Sequence, residues 1–265
     1  MRLLWAILLL IAAPLSAAEW VVPARPGAIN ETLARAAEGD VLRLRPGHYR
    51  ENVELAFPVT LDGQGQAILD GQDRGSVVTV TSADVTVTGV TVIGSGSDHE
   101  EIDSGIKLTK GATRARITGN VLEGNLYGVD IHGARDAVVA DNRIVGRTDR
   151  RMNDRGNGVY VWNAPGAVVE GNDIRLGRDG IFVNSSKKNI FRNNTFRDLR
   201  FAVHYMYAND TEVSGNVSVG NDLGYAVMFS KRVRVKDNVS IGDREHGVMM
   251  NYANHSEITG NYVRG

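Results

Sequence analysis

The sequence contains no cysteine. That excludes disulfide staples, thiolate zinc sites, iron–sulfur clusters and a cysteine nucleophile. Any soft metal site in this chain has to be built from histidine and methionine. An excess of charge of one sign is also missing: 30 Lys and Arg face 31 Asp and Glu, a net of -1. No basic surplus exists to neutralise a run of phosphates, so nothing advertises a nucleic-acid binder. Aromatic residues are scarce at 6%, which points to an aliphatic core. Long apolar runs are absent after Ala13. What is plentiful is glycine, 30 residues, the mark of a chain with many turns. With 42% hydrophobic and 23% charged residues, the composition is that of a globular protein and not of a disordered chain.

The N-terminus reads as an address. Met1-Arg2 gives a positive start, Leu3 to Ala13 is a continuous apolar run, Pro14 breaks it, and Ser16-Ala17-Ala18 offers small residues before Glu19. This is the pattern of a secretory signal peptide over residues 1–18, cleaved after Ala18. The run is too short for a comfortable membrane span. The mature chain, 19–265, is expected to be exported and soluble, with a Gram-negative periplasm as its compartment.

The remainder is a repeat. A strand ending in a small residue followed by Asn occurs at Ile117-Thr118-Gly119-Asn120, and again at Asn142, Asn172, Asn194, Asn216, Asn238 and Asn261. The intervals are 22, 30, 22, 22, 22 and 23 residues. A Gly or Ala opens a short alternating segment within each period, as in Gly180-Ile181-Phe182-Val183. Strand segments with a period near 22 and no helices predict an all-β, right-handed parallel β-helix, each repeat forming one rung. A β-propeller blade would need roughly 40 residues. The Asn residues are expected to form a structural ladder along one bend. Asn30 to Glu38 reads as a short capping helix ended by Gly39, with Val41 to Leu44 as the first strand and Arg45 to Tyr49 as a turn. Roughly ten or fewer rungs should follow. A solenoid is not expected to stop on an uncovered rung, so further chain is expected beyond Gly265.

Two connections are longer than the others and leave the same corner. Ser97 to Asp103 is acidic, and Arg147 to Arg155 is mainly basic. With one short rung between them, the two loops are expected to pair. Asp98-His99-Glu100 is a candidate acid–base or cation-binding group, set against the plainer reading of two solvated charged loops.

Strand alternation assigns Val129, Val159, Ile181, Val203, Tyr225 and Val248 to the interior. The column one residue on, Asp130, Tyr160, Phe182, His204, Ala226 and Met249, should face outward, as should His132, Trp162, Asn184, Met206, Met228 and Asn251. His204, Met206, Met228 and Met249 then lie on successive rungs, flanked by Tyr207, Phe229 and Tyr252. His246, beside Gly247, is near enough to join them. An outward methionine and aromatic face suits a partner protein or a soft metal.

The run from Phe201 onward also carries a family signature. Its phrases are Ala202-Val203-His204-Tyr205-Met206-Tyr207-Ala208-Asn209-Asp210, Gly224-Tyr225-Ala226-Val227-Met228-Phe229-Ser230-Lys231-Arg232, Gly242-Asp243-Arg244-Glu245-His246-Gly247 and Asn251-Tyr252-Ala253-Asn254. In these the chain resembles the NosD family, whose members are longer. The resemblance implies a periplasmic, non-catalytic maturation factor for nitrous oxide reductase. Such a factor acts with an ABC-type complex of the NosF ATPase and the NosY membrane protein. NosL-type copper lipoprotein is the implied donor. Copper is then the metal to expect; the resemblance names no ligands, and it is the outward column that offers His204, Met206, Met228, His246 and Met249 for transient binding. Two other readings stay open. One is a secreted polysaccharide lyase or uronate epimerase using Asp98-His99-Glu100, and the other is a structural adhesion module.

Overall fold

Short runs of β-branched residues alternate with glycine, asparagine and aspartate along the whole chain, and the structure turns this pattern into a right-handed parallel β-helix of about 11 turns. The computed structural model describes residues 17–265. The expected signal segment, but for Ala17 and Ala18, lies outside the described residues. One face is a nine-stranded sheet whose strands follow chain order from Val53–Leu55 to His246–Asn251. A nineteen-stranded sheet wraps the other faces, and all strand pairings are parallel. The register stacks like on like: Val159 lies beside Ile181, Ile181 beside Val203, and Val203 beside Tyr225. These side chains are buried, as the alternation requires, and each contributes roughly 1.5–3 kcal/mol by leaving water.

The asparagine ladder forms as expected. Asn194 shows the unit: its Oδ1 accepts the backbone N–H of Asn172 at 3.0 Å and the Asn172 side-chain amide at 2.9 Å. Its own Nδ2 donates to Val169 O and to Asn216 Oδ1. The same bonds link Asn120, Asn142, Asn216, Asn238 and Asn261. Each buried amide is satisfied, and each satisfies a main-chain group at a bend where the strand ladder is interrupted. The sequence reading missed a second, partial ladder. At another corner, Asn125 Oδ1 accepts from Ser95 N, Asn221 Oδ1 from Leu199 N, and Asp243 Oδ1 from Asn221 N.

The N-terminal end departs from expectation in three places. Glu19–Val22 is a strand paired with Val41–Leu44, so the solenoid begins one strand earlier. The capping helix is Ala28–Leu33, shifted toward the N-terminus from the expected Asn30 to Glu38. The reason is a cap from another rung: the Glu51 carboxylate accepts the backbone N–H groups of Ile29 and Asn30. At the other end Asp40 accepts from Ala37 N, Trp20 Nε1 and Ala18 N, which draws residues 34–40 into a turn. Lastly, Gly47–Arg50 is a strand and not a turn, anchored by buried Tyr49, whose single O–H is shared between Val22 O and Arg45 O, each 2.9 Å away. Ala28, Ile29 and Leu33 cover the apolar end of the core. In the final rung Ile258, Tyr262 and Val263 are exposed.

The two long loops leave one corner and meet. They do so through main-chain acceptors and not through the expected pairing of opposite charges. Arg147 donates to Ser95 O, Gly96 O, Ser97 Oγ and Gly124 O. Among the described residues no salt bridge joins Asp98, Glu100, Glu101 or Asp103 to an arginine of the other loop. The acidic residues are occupied locally: Asp98 Oδ1 accepts from Glu100 N and Glu101 N, and Asp103 Oδ2 accepts from Asp98 N.

Candidate functional site

The outer face of the nine-stranded sheet carries a column of rings. Tyr127, Tyr160, Phe182 and His204 follow one another with centroids 6.1, 5.5 and 4.8 Å apart. The column does face away from the core, yet much of it is not open to water. His204 is only 8% exposed. It lies against Phe182 and Phe201, with the Phe201 ring 4.5 Å away.

His204 Nδ1 faces Asp179 Oδ2 at 3.1 Å. Asp179, itself 1% exposed, also accepts two bonds from Arg200, at 2.8 and 2.7 Å. Arg200 in turn lies over the Phe201 ring. Burial pushes the Asp179 carboxyl up, but the bonds from His204 and Arg200 outweigh it and hold the group below its ordinary value. An ionised carboxylate beside Nδ1 fixes the proton there. The ring's Nε2 makes no hydrogen bond among the described residues, and in the neutral ring it carries the lone pair. This is the arrangement by which proteins orient a metal-binding imidazole.

The methionines of this face are placed unequally. Met228 and Met249 pack on a small cluster of Phe201, Leu223 and Ala226. Register places Ala226 between His204 and Met249, so the space above it is left to its longer neighbours. Met206 is the cross-rung partner of Met228. His246 is exposed and begins the strand His246–Asn251, opposite Leu223, and is set apart from His204 by two rungs. Among the described residues no group of three or more His, Asp or Glu side chains is placed to hold a metal ion. A metal bound here therefore depends on thioether sulfur, and one imidazole with thioethers is a donor set for Cu(I). The sequence reading missed Asp179 and Arg200. The signal was an Asp standing directly before the Gly180 column, where other rungs carry Tyr127, Phe201 and Leu223.

A second buried carboxyl lies nearer the loops. Asp130 is 0% exposed, and neither of its oxygens has a hydrogen-bond partner. His132 Nδ1, also without a partner, is 3.9 Å from it. Lys107, on the neighbouring rung, gives its ammonium to Glu101 O. Burial pushes the Asp130 carboxyl up to about 7, against a weaker pull from Lys107. The same desolvation raises Tyr160 to about 12.

His99, the candidate acid–base residue, is fully engaged. Its Nε2 is 3.1 Å from Asp154 O and its Nδ1 is 3.2 Å from the Tyr127 hydroxyl. A carbonyl can only accept, so Nε2 carries a proton, and in the neutral ring Nδ1 accepts from Tyr127. No ring nitrogen is left for a substrate, and Asp98 is held by its own loop. His99 braces the two loops through Asp154 O.

A family model described as periplasmic copper-binding protein (NosD) matches residues 140–265. A probable ABC transporter binding protein NosD of Stutzerimonas stutzeri is 37% identical over 221 residues, 83% of this chain and 51% of that protein. The corresponding protein of Pseudomonas aeruginosa is 37% identical over 222 residues, 84% of this chain and 52% of its own. The chain thus spans about half the length of the curated relatives it matches. Among solved structures, an alginate lyase from Paenibacillus superposes with a TM-score of 0.72 at 16% identity, covering 92% of this chain and 99% of the lyase. The Dettilon tailspike protein gives 0.64 at 14% identity, covering 89% of this chain and 57% of that one. At such identities these structures speak for the fold alone. No helix among the described residues is long and apolar enough to cross a membrane.

Proposed function

The chain belongs to the NosD family, and on that premise we propose that it is a periplasmic, non-catalytic scaffold that handles copper during maturation of nitrous oxide reductase. In this reading it works with an ABC-type complex of NosF and NosY type, and a NosL-type lipoprotein delivers the metal. Copper is cargo here and not a resident cofactor. One observation carries the proposal: Asp179 and Arg200 hold His204 in a fixed tautomer, with Nε2 unengaged, on the face that bears Met228 and Met249. A weak site of one imidazole and thioethers suits transfer better than storage. Met206 and His246 complete the proposed set, Met206 through its register with Met228 and His246 as an exposed donor at the rim.

The test is Cu(I) titration of the full chain against a chromogenic chelator, combined with maturation of the reductase in cells. The His204→Ala/Met206→Ala double variant should lose Cu(I) uptake and lower maturation. His204 contacts Asp179 and two rings, so folding is checked in parallel by circular dichroism. A folded double variant that binds Cu(I) and matures the reductase as the parent does would remove this face from consideration.

A further inference from the structure

Ion pairs between neighbouring rungs recur along the solenoid, as in Arg114 with Asp84, Arg192 with Glu170, and Arg244 with Asp222. Other cations stand outside the pattern, and three of them share one edge. At the corner that follows the strands of the nine-stranded sheet, Lys110, Arg135 and Lys187 have no salt-bridge partner among the described residues. They line two adjoining cavities. The first, 440 Å³, is walled by Lys110, His132, Arg135 and Trp162, and the second, 320 Å³, by Ser185, Lys187, Tyr207 and Asn209. Asn163 and Pro165 belong to both, so the two form one groove, and no carboxylate lines either.

The backbone explains the groove. From Gly133 onward each rung turns this corner with a residue in the left-handed region. On the early rungs that residue is small: Gly133 at φ 76°, Asn163 at 46° and Ser185 at 55°. On the later rungs it is Tyr207 at 52°, Phe229 at 49° and Tyr252 at 51°, bulky residues that seldom adopt this conformation. The small residues leave a trough and the large ones close it. Lys110 to Tyr207 covers five rungs, about 19 Å at ~4.8 Å per rung, the length of five or six extended residues.

The chemistry narrows the occupant. Unpaired cations call for an anion. A saccharide would use open ring faces, yet the rings here are turned on each other. His132 stacks on Trp162 at 4.3 Å, and Tyr207, Phe229 and Tyr252 stack at 5.4 and 5.3 Å. The aromatic ridge presents ring edges, with Tyr207 52% and Tyr252 71% exposed, which suits the side chains of a protein. Glu100 and Glu101 line the next cavity beyond Lys110 and confine an anion to the stretch from Lys110 to Tyr207.

We propose that this groove docks an extended acidic segment of a partner protein, its carboxylates meeting Lys110, Arg135 and Lys187 and an apolar side chain meeting Tyr207. The inference stands independently of the copper reading. It is tested with the full chain and a fluorescein-labelled octapeptide of alternating glutamate and serine, followed by anisotropy at low ionic strength. Binding should weaken at least about tenfold in Lys110→Glu/Arg135→Glu. It should be little changed in Arg116→Glu/Arg197→Glu, which alters net charge equally on other faces. If the reversal pair fails to fold, Lys110→Gln/Arg135→Gln should still weaken binding several-fold. Absence of binding up to about 1 mM, equal loss in the control pair, or tighter binding of tetragalacturonate than of the peptide would each overturn the proposal.

Discussion

Asp130 should make the stability of this protein fall as pH rises through neutrality. In the unfolded chain its carboxyl titrates near the ordinary 3.8, whereas in the fold burial holds it at about 7. Between those values the folded state keeps a proton that the unfolded state has lost, so the fold loses stability as pH rises. The full shift corresponds to about 4 kcal/mol, of which about 3 kcal/mol falls between about pH 5 and pH 8. His132 works in the opposite sense. Its folded value is lowered by burial and then by Lys107, so it contributes stability as pH rises through its unfolded value. The clean observable is therefore a difference. Urea unfolding of the parent and of Asp130→Asn across this range isolates the carboxyl, because the amide cannot titrate. An unsatisfied buried amide costs the variant a constant amount, which moves the offset and leaves the slope alone. The parent should lose about 3 kcal/mol relative to the variant from the acid to the alkaline end. Parallel pH profiles would show that Asp130 is ionised and partnered in the fold, and the reasoning would fail.

Three further outcomes are expected. Asn216→Ala should cost about 3 kcal/mol in denaturant unfolding, since it breaks bonds from Asn194 and removes donors to Phe191 O and Asn238 Oδ1. A loss below about 1 kcal/mol would mean that the ladder is dispensable. Asp179→Asn should weaken Cu(I) binding about tenfold or more in chelator competition, because His204 loses the carboxylate that fixes its tautomer. Unchanged affinity in a folded variant would separate His204 from the metal. Incubation with polygalacturonate or alginate should yield no unsaturated product by ultraviolet absorbance, given that both His99 nitrogens are engaged. Turnover lost on His99→Ala would reverse this.

Much of the fold was legible because a solenoid repeats its own evidence. The interval between Asn194, Asn216 and Asn238 announces the rung, and the alternation around Val203 and Tyr225 announces which side is the core. The N-terminal end was harder to read, since nothing repeats there. The helix boundary depends on Glu51, which lies 21 and 22 residues from the N–H groups it caps. The site was legible only in part. Position in a column identified His204 and the methionines as neighbours, but periodicity says nothing about what covers a column. The partners Asp179 and Arg200 come from the preceding corner, and the loops from Ser97 and Arg147 were expected to meet by charge when main-chain carbonyls do the work.

The two buried carboxyls show how neighbours and not depth set protonation. Asp130 and Asp179 are equally removed from water. Asp179 receives two bonds from Arg200 and one from His204, and these compensate for desolvation, so it stays ionised below its ordinary range. Asp130 has Lys107 beside it, but that ammonium donates to Glu101 O, and no hydrogen bond reaches the carboxylate. Desolvation then prevails and the acid keeps its proton up to about 7. Of the two carboxyls, Asp130 is therefore the one that brings a pH response of stability near neutrality. Asp179 does not titrate in that window, so its carboxylate stays beside His204 Nδ1 while Asp130 changes charge.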